Sequence, residues 1–333
     1  MENGHVRASK RKDVVIIGGG PAGLNAALVL GRARKSVLLC DGGTRRNIMA
    51  EHVHNFLTRD GTPPAELRRL GREQLRPYEG VELREEGVTS VEPLASGFRV
   101  HLAAGDAVEC RRVLLTTGLI DELPDLPGYR ELWGRSIFQC PYCHGWEVRD
   151  QAFGVLATSP AMLDMALFLT GWSRDVIAFT GGPLPVPAEQ LQRLERGGIR
   201  LETRRLRRFL SHGGHLETVE LEDGTRVARE VLFARPPQRQ TEVVRRLGLA
   251  LDEHGFVRVN APHLETSLPG VHAAGDLTTQ LQGAIFAASA GFQAAAMINH
   301  ALNLENAEAG FPSGVELPPA AHGITRHGAP EHG

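Results

Sequence analysis

Residues 14 to 23 constrain the architecture of this chain more than any other stretch. Val14-Val15-Ile16-Ile17 is a wholly apolar, β-branched run, as expected of a strand buried on both faces of a parallel sheet. It feeds directly into Gly18-Gly19-Gly20-Pro21-Ala22-Gly23, after which Leu24, Ala27, Leu28 and Leu30 recur at helical spacing. This is Gly-x-Gly-x-x-Gly in the strand, turn and helix context in which it cradles a dinucleotide. Gly18 is expected to make the tight turn, Gly20 to let a pyrophosphate approach the backbone, and Gly23 to let the helix pack on the sheet. Pro21 and Ala22 fall inside the same turn and belong to the candidate site. A second strand, Ser36 to Cys40, ends at Asp41, 18 residues after Gly23, where a carboxylate is wanted for ribose hydroxyls. An ordinary Gly-rich turn explains neither that spacing nor Asp41.

At 333 residues the chain exceeds one ordinary domain and suggests two. A net charge of -2 gives no basic field to hold a polyanion, so nucleic acid is not expected as a partner. No apolar run approaches a membrane span, and the polar, basic residues through Lys12 read as a leader without the apolar core of a signal peptide. Four cysteines in so long a chain make no disulfide scaffold. Two of them stand in Cys140-Pro141-Tyr142-Cys143-His144-Gly145. Thiols three residues apart can close a small, reducible disulfide, and in the expected cytoplasmic setting such a pair is catalytic more often than structural. Zinc is the other reading of this spacing, with His144 as a third ligand, but Cys40 and Cys110 form no second pair.

The remaining chain alternates strands and helices. From Thr44 to Pro77 it is polar, with His52, His54 and Asn55 before a helix around Ala65 to Leu75. The two histidines could approach a cofactor ring or simply lie at the surface. Strands are expected at Val81 to Leu83, Phe98 to Leu102 and Val108 to Leu115, the last ending in Thr116-Thr117-Gly118. The linker from Leu123 to Gly128 marks a domain boundary. A second strand, turn and helix unit follows the cysteine pair: Phe153 to Leu156, then Met162 to Leu169, then the strand Val176 to Phe179. Its turn, Ala157 to Met162, has none of the glycines, and Thr180-Gly181-Gly182 offers neither an acid for a ribose nor an arginine for a 2′-phosphate. A side chain forced into a glycine-only conformation costs about 1 to 2 kcal/mol, and each missing charge-assisted phosphate contact about 1.5 to 3. Together these remove roughly two to four decades of affinity, so tight NADPH binding here is not expected. The basic run Arg204 to Arg208 lies past the position of a 2′-phosphate and reads as a solvated face. After a hairpin at Asp223-Gly224 and a strand Val231 to Ala234, Ala273-Ala274-Gly275-Asp276 places a carboxylate at a strand's C-terminal end, where open α/β sheets bind ligands. A helix from Ala284 to about Leu302 follows. The Pro-, Gly- and His-rich tail from Pro312, with His322, His327 and His332, is expected to be disordered.

In their order along the chain these motifs resemble the low-molecular-weight thioredoxin reductase family of FAD-dependent disulfide oxidoreductases: the Gly18, Gly20, Gly23 turn, Thr116-Thr117-Gly118, the Cys140/Cys143 pair and Ala274-Gly275-Asp276. The resemblance covers about residues 13 to 305. It implies an α/β fold of two Rossmann-like three-layer domains. The FAD domain would be discontinuous, residues 13–118 and 247–311, with residues 119–246 as an inserted, degenerate NAD(P)-type domain carrying the cysteines. Residues 1–12 would be a leader and 312–333 a tail. It further implies a homodimer. FAD would be bound by Gly18, Gly20, Pro21, Ala22, Gly23, Asp41, Thr117, Gly118, Gly275, Asp276 and Ala284, with Asp276 at the ribityl or phosphate end. Cys143 would be the sulfur nearer the flavin and Cys140 the one that exchanges with substrate. His144 stands where the family commonly has an acid as proton donor, a position from which an imidazole can stabilise a thiolate and shuttle its proton.

Two departures bear on activity. The nucleotide-binding glycines and basic pair of the second unit are missing, and the last helix is preceded by Gln282-Gly283 rather than an arginine-glutamine pair. The degenerate second site and Cys-Pro-Tyr-Cys-His-Gly are similar to the gliotoxin- and holomycin-type dithiol oxidases, in which electrons would run from a substrate dithiol through the cysteines and FAD to molecular oxygen. The expected function is therefore an FAD-dependent thiol/disulfide oxidoreductase, preferably a dithiol oxidase, acting on a small dithiol or a thioredoxin-like protein. The alternatives are a thioredoxin reductase fed by unconventionally bound NADPH or by a protein donor such as ferredoxin, and a redox-sensing flavoprotein.

Overall fold

The computed structural model describes residues 11 to 310. Of the expected leader 1–12, residues 1–10 lie outside the described residues, as do the tail 312–333 and its three histidines, whereas Lys12 opens the first strand, opposite Cys110. The chain begins with β1 (Lys12–Ile17), α1 (Pro21–Arg32), β2 (Val37–Cys40), α2 (Pro64–Leu75), β3 (Val81–Arg84), β4 (Val88–Pro93), β5 (Phe98–Leu102), β6 (Ala107–Leu115) and the short β7 (Ile120–Asp121). Next come α3 (Tyr129–Leu132), β8 (Ile137–Phe138), α4 (Pro141–His144), β9 (Phe153–Leu156), α5 (Pro160–Leu169), β10 (Val176–Phe179), α6 (Ala188–Arg196) and β11 (Arg200–Glu202). Three strands, β12 (Leu206–His212), β13 (His215–Leu221) and β14 (Arg226–Ala228), precede β15 (Val231–Ala234), β16 (Gln238–Arg239) and α7 (Glu242–Arg246). The chain then returns through β17 (Val271–Ala273) and a 3-10 turn at Asp276–Thr278 to the 25-residue α8 (Ala284–Glu308).

Apolar residues on both faces of β1 and β2 dictate a central position. Val15, Ile17, Leu38 and Cys40 enter one core with Phe98, Val113 and Val271, while Val14, Ile16, Val37 and Leu39 enter the other with Leu24, Leu30, Ala294 and Ile298. The strands run in the order β3-β2-β1-β6-β5-β4. One edge of β6 serves two partners: Ala107 to Cys110 pair antiparallel with β5, and Val113 to Leu115 pair parallel with β17. The returning chain thus joins the sheet near its middle. The alanines of α8 follow from its packing, for a Cβ on Gly291 would overlap the carbonyl of Ala22 in α1, and Ala287, Ala288, Ala294 and Ala295 are buried beside it.

The second unit has an all-parallel sheet in the order β11-β10-β9-β15-β8. Helices α5 and α6 cover one face through Leu163, Ala166, Leu169 and Leu194. The antiparallel β12-β13-β14 sheet covers the other through Leu206, Phe209, Leu216, Val219 and Leu221. This is a three-layer dinucleotide-type domain. The two units are joined by β7 and β16, which pair antiparallel, Ile120 with Arg239 and Asp121 with Gln238. Every expected strand and helix is present; α8 runs six residues past Leu302, its polar end held by Arg111 and Arg112 on Glu305.

Candidate active site

The glycine turn after β1 has the geometry its spacing predicts. Gly18 sits at φ +118, and a Cβ there would overlap the carbonyl of Thr116. A Cβ on Gly23 would overlap the carbonyl of Gly18, so α1 can start only where a hydrogen stands. Gly20 faces open space, and α1 has no side-chain cap. A bare helix N-terminus next to an uncovered glycine accepts a pyrophosphate. Thr116, at the end of β6, donates its hydroxyl to the carbonyls of Gly18 (2.8 Å) and Ile17 (3.1 Å), which locks the turn. Asp41 is buried; its carboxylate accepts from the Gly43 amide (3.0 Å) and from Arg68 and Arg72, the latter at 2.8 Å. Those partners hold it below the usual carboxylate range against the opposing effect of burial. Gly19 is a further requirement, because a side chain there would overlap Asp41. From the returning half, Gly275 (φ +94) stands where a Cβ would press on the methyl groups of Ala22 and Ala287, which sets Asp276 beside the same turn. Ala284 opens α8, and Thr117 and Gly118 (φ +63) lead into β7. Both halves of the chain thus line one cradle, and its uncovered glycine and bare helix start fit the diphosphate of FAD.

The cysteine pair projects from the second unit. Gln139 leaves β8, Cys140 is extended at φ -122, and Pro141 starts the single turn α4. The Cys143 amide donates to the Cys140 carbonyl at 3.1 Å, which folds the two sulfurs onto one side. Both cysteines are half-buried free thiols. The hydrogen bond from Cys143, with help from the backbone amides of Cys143 and Tyr142, brings Cys140 down to about 7 against the effect of burial. The same hydrogen bond, followed by burial, pushes Cys143 up. In the dithiol form, then, the negative charge settles on Cys140.

His144 stacks flat on Phe138, ring centroids 4.3 Å apart, and neither of its buried ring nitrogens has a hydrogen-bond partner. Burial pushes its pKa down, so the ring is a neutral base next to a thiol pair. His54 approaches Glu147 (3.4 Å) and Asp60 (3.5 Å), and Asn55 donates to the carbonyl of Tyr142 at 2.7 Å. The polar segment before α2 is therefore folded onto the cysteine turn, whereas His52 points to solvent. Tyr142, Phe168 and Trp172 pack edge to face beside the pair, with Tyr142 and Trp146 exposed. Among the described residues no group of three His, Cys, Asp or Glu has the arrangement of a metal site.

Between cradle and cysteines lies a polar cluster that spacing alone does not disclose. Arg46 donates to Asp121 (2.8 Å), Asp276 (3.2 Å), Gln282 and Gln139, and Gln139 in turn donates to Gln282 at 3.0 Å. Gln238 of β16 completes it, donating to Asp121 at 2.8 Å and accepting from Gln282 at 2.8 Å. Burial raises the Asp276 carboxyl, and Arg46 opposes that rise.

In the second unit the corresponding turn, Ala157 to Met162, has no glycine. Gln190 of α6 is buried and donates to the carbonyl of Pro160 (2.8 Å) and the carboxylate of Asp164 (3.0 Å), which ties α6 to the first turn of α5.

The model of a family described as pyridine nucleotide-disulphide oxidoreductase matches residues 12–294. The thioredoxin reductase tcpT of Claviceps purpurea is 34% identical over 279 residues, 79% of this chain and 86% of that protein. The thioredoxin reductase sirT of Leptosphaeria maculans is 32% identical over 305 residues, 86% of this chain and 93% of that protein. Among solved structures, HlmI superposes with a TM-score of 0.84 at 38% identity, covering 90% of this chain and 95% of that one.

Proposed function

The chain belongs to the pyridine nucleotide-disulphide oxidoreductase family, and from that premise we propose that it is an FAD-dependent dithiol oxidase working through Cys140 and Cys143. One observation carries the choice of direction: the first turn has glycines at positions where a Cβ would overlap backbone, whereas the second, Ala157 to Met162, has none. A turn that lacks those glycines and has no basic partner for a 2′-phosphate weakens dinucleotide binding, so reducing equivalents are expected to enter at the cysteines.

A substrate thiolate attacks Cys140 Sγ of the Cys140–Cys143 disulfide, and Cys143 Sγ leaves as thiolate. The second substrate thiol attacks the substrate sulfur of that mixed disulfide, closing the product disulfide and releasing Cys140 as thiolate. Two electrons and two protons leave the substrate. The low pKa of Cys140 favours its release, and the neutral ring of His144 accepts a proton that it returns later. FAD supplies the two-electron link from the thiol pair to oxygen, which departs as peroxide. Gly18, Gly20, Gly23 and Asp276 would hold the cofactor, and a homodimer is the expected assembly.

Anaerobic titration of the FAD-loaded protein tests the direction. Dithiothreitol is expected to bleach the flavin and air to restore it, while NADPH leaves it yellow. Fast stoichiometric bleaching by NADPH would establish a thioredoxin reductase instead, the activity for which relatives such as tcpT and sirT are named. Thiol-dependent oxygen uptake over many cycles would exclude a redox sensor without turnover.

A further inference from the structure

We propose that Arg46 is the positioning residue of the thiol pair: braced by Asp121 and Asp276, its guanidinium grips Gln139 and fixes the cysteine turn against the FAD domain. The inference rests on Cys140 and Cys143 being the reacting pair. It concerns a residue 94 positions from Cys140 that belongs to no motif.

Three observations converge on it. The first is reach. One guanidinium uses Nε for Asp121, Nη1 for Asp276 and Gln282, and Nη2 for Gln139, so it ties together the loop after β2, the crossing strand β7, the 3-10 turn after β17 and the residue immediately before Cys140. A planar fork can serve partners on several sides; an ammonium would have to choose among them. The second is enclosure, for the side chains of Arg46 and Asp121 are only 21% and 7% exposed, where charge-assisted contacts are strongest. The third is charge balance. Arg46 is paired with both Asp121 and Asp276, so without it two enclosed carboxylates would face each other beside the residue that precedes Cys140.

The tether also limits how the cysteine turn can sit. Gln139 is held by both Arg46 and Gln282, and Asn55 holds the Tyr142 carbonyl from the far side. The turn is pinned before and after Cys140.

The test uses FAD-loaded protein reduced anaerobically with a phosphine and desalted. Hydrogen exchange of residues 137–145 is followed alongside the pH profile of iodoacetamide alkylation, with Cys140 resolved by peptide mass. In Arg46→Met and in Arg46→Lys, which keeps the charge and loses the fork, exchange of 137–145 is expected to accelerate about tenfold, and the midpoint of Cys140 alkylation to climb from about 7 toward the ordinary value of about 8.5 as the thiol-to-thiol hydrogen bond loosens. Unchanged exchange with an unchanged midpoint in Arg46→Met overturns the tether, and a lysine variant that behaves as wild type overturns the need for the fork. If Arg46→Met does not fold, Gln139→Leu carries the same two measurements, with unchanged values again overturning the tether. No substrate or oxygen enters these measurements, so a failed oxidase assay would leave their outcome intact.

Discussion

Cys140 and Cys143 differ because one hydrogen bond runs between them with a direction. Cys143 donates and Cys140 receives, which brings Cys140 to about 7. A thiol lowered in this way carries more thiolate at neutral pH, so alkylation of Cys140 in the reduced protein should reach half its maximal rate near pH 7. Cys143→Ala removes the donor, and the midpoint should climb toward the ordinary value of about 8.5. A midpoint that stays near 7 would transfer the cause to the backbone amides of Tyr142 and Cys143. Cys143→Ser should bind FAD normally and fail to turn over dithiol, a combination that visible absorbance and oxygen uptake distinguish. The chemistry of these two residues is legible in the sequence because a Cys-x-x-Cys is local. Arg46 is not legible, since its partners stand 75, 93, 230 and 236 residues away and only the fold collects them. Thr116 stands in a motif the sequence shows, but its bond to the glycine turn and the constraint on Gly19 are hidden, since they depend on β6 and Asp41 closing on the turn from other strands.

Elements with two apolar faces or a dense helical repeat could be read directly, as β1, β2, β9, β10 and α1 show. The last six residues of α8 could not, because their stability comes from Arg111 and Arg112 reaching Glu305 and not from an apolar repeat. The contact that matters most at this scale is between α1 and α8, where Gly291 lets the two backbones touch at Ala22. Gly291→Val forces them apart, and overpacking of this kind costs about 2 to 3 kcal/mol. Thermal scans of the FAD-loaded variant should show a loss of roughly 5 °C or more, together with weaker FAD retention, because Ala22 and Gly275 shift with the helix. An unchanged melting point would mean that α8 can slide without cost. His272, in β17, is a buried ring that donates Nδ1–H to the His263 carbonyl (3.0 Å) and leaves Nε2 without a partner.

Across the whole molecule, His144 and His272 share one consequence of burial. Both have folded-state pKa values depressed below 6.5. In the unfolded chain each takes up a proton as pH drops through 6.5, while the folded protein still excludes it. Stability is therefore full above pH 6.5 and declines as pH falls toward the lower folded values. Denaturant melts should show a falling midpoint between pH 7 and pH 5, and His272→Gln should flatten that fall. A midpoint independent of pH in this window would show that neither ring is kept neutral. No helix among the described residues is long and apolar enough to cross a membrane. The contrast between the two turns is visible from their composition alone, glycines in one and none in the other; that Gln190 ties α6 to α5 is not, because it reaches Pro160 from 30 residues away.

The pairing of β17 with the middle of the first sheet also sets a timetable for synthesis. When β6 leaves the ribosome, the edge at Val113 to Leu115 has no neighbour until Val271 to Ala273 are made. At bacterial or eukaryotic elongation rates that interval is roughly 10 to 30 s. The intervening unit, with its own parallel sheet and two cores, can fold during the wait. Cofactor capture must then come after translation of α8, and a nascent chain stalled before residue 271 should be colourless, sticky along one strand edge and dependent on chaperones, while already carrying its thiol pair in a folded setting.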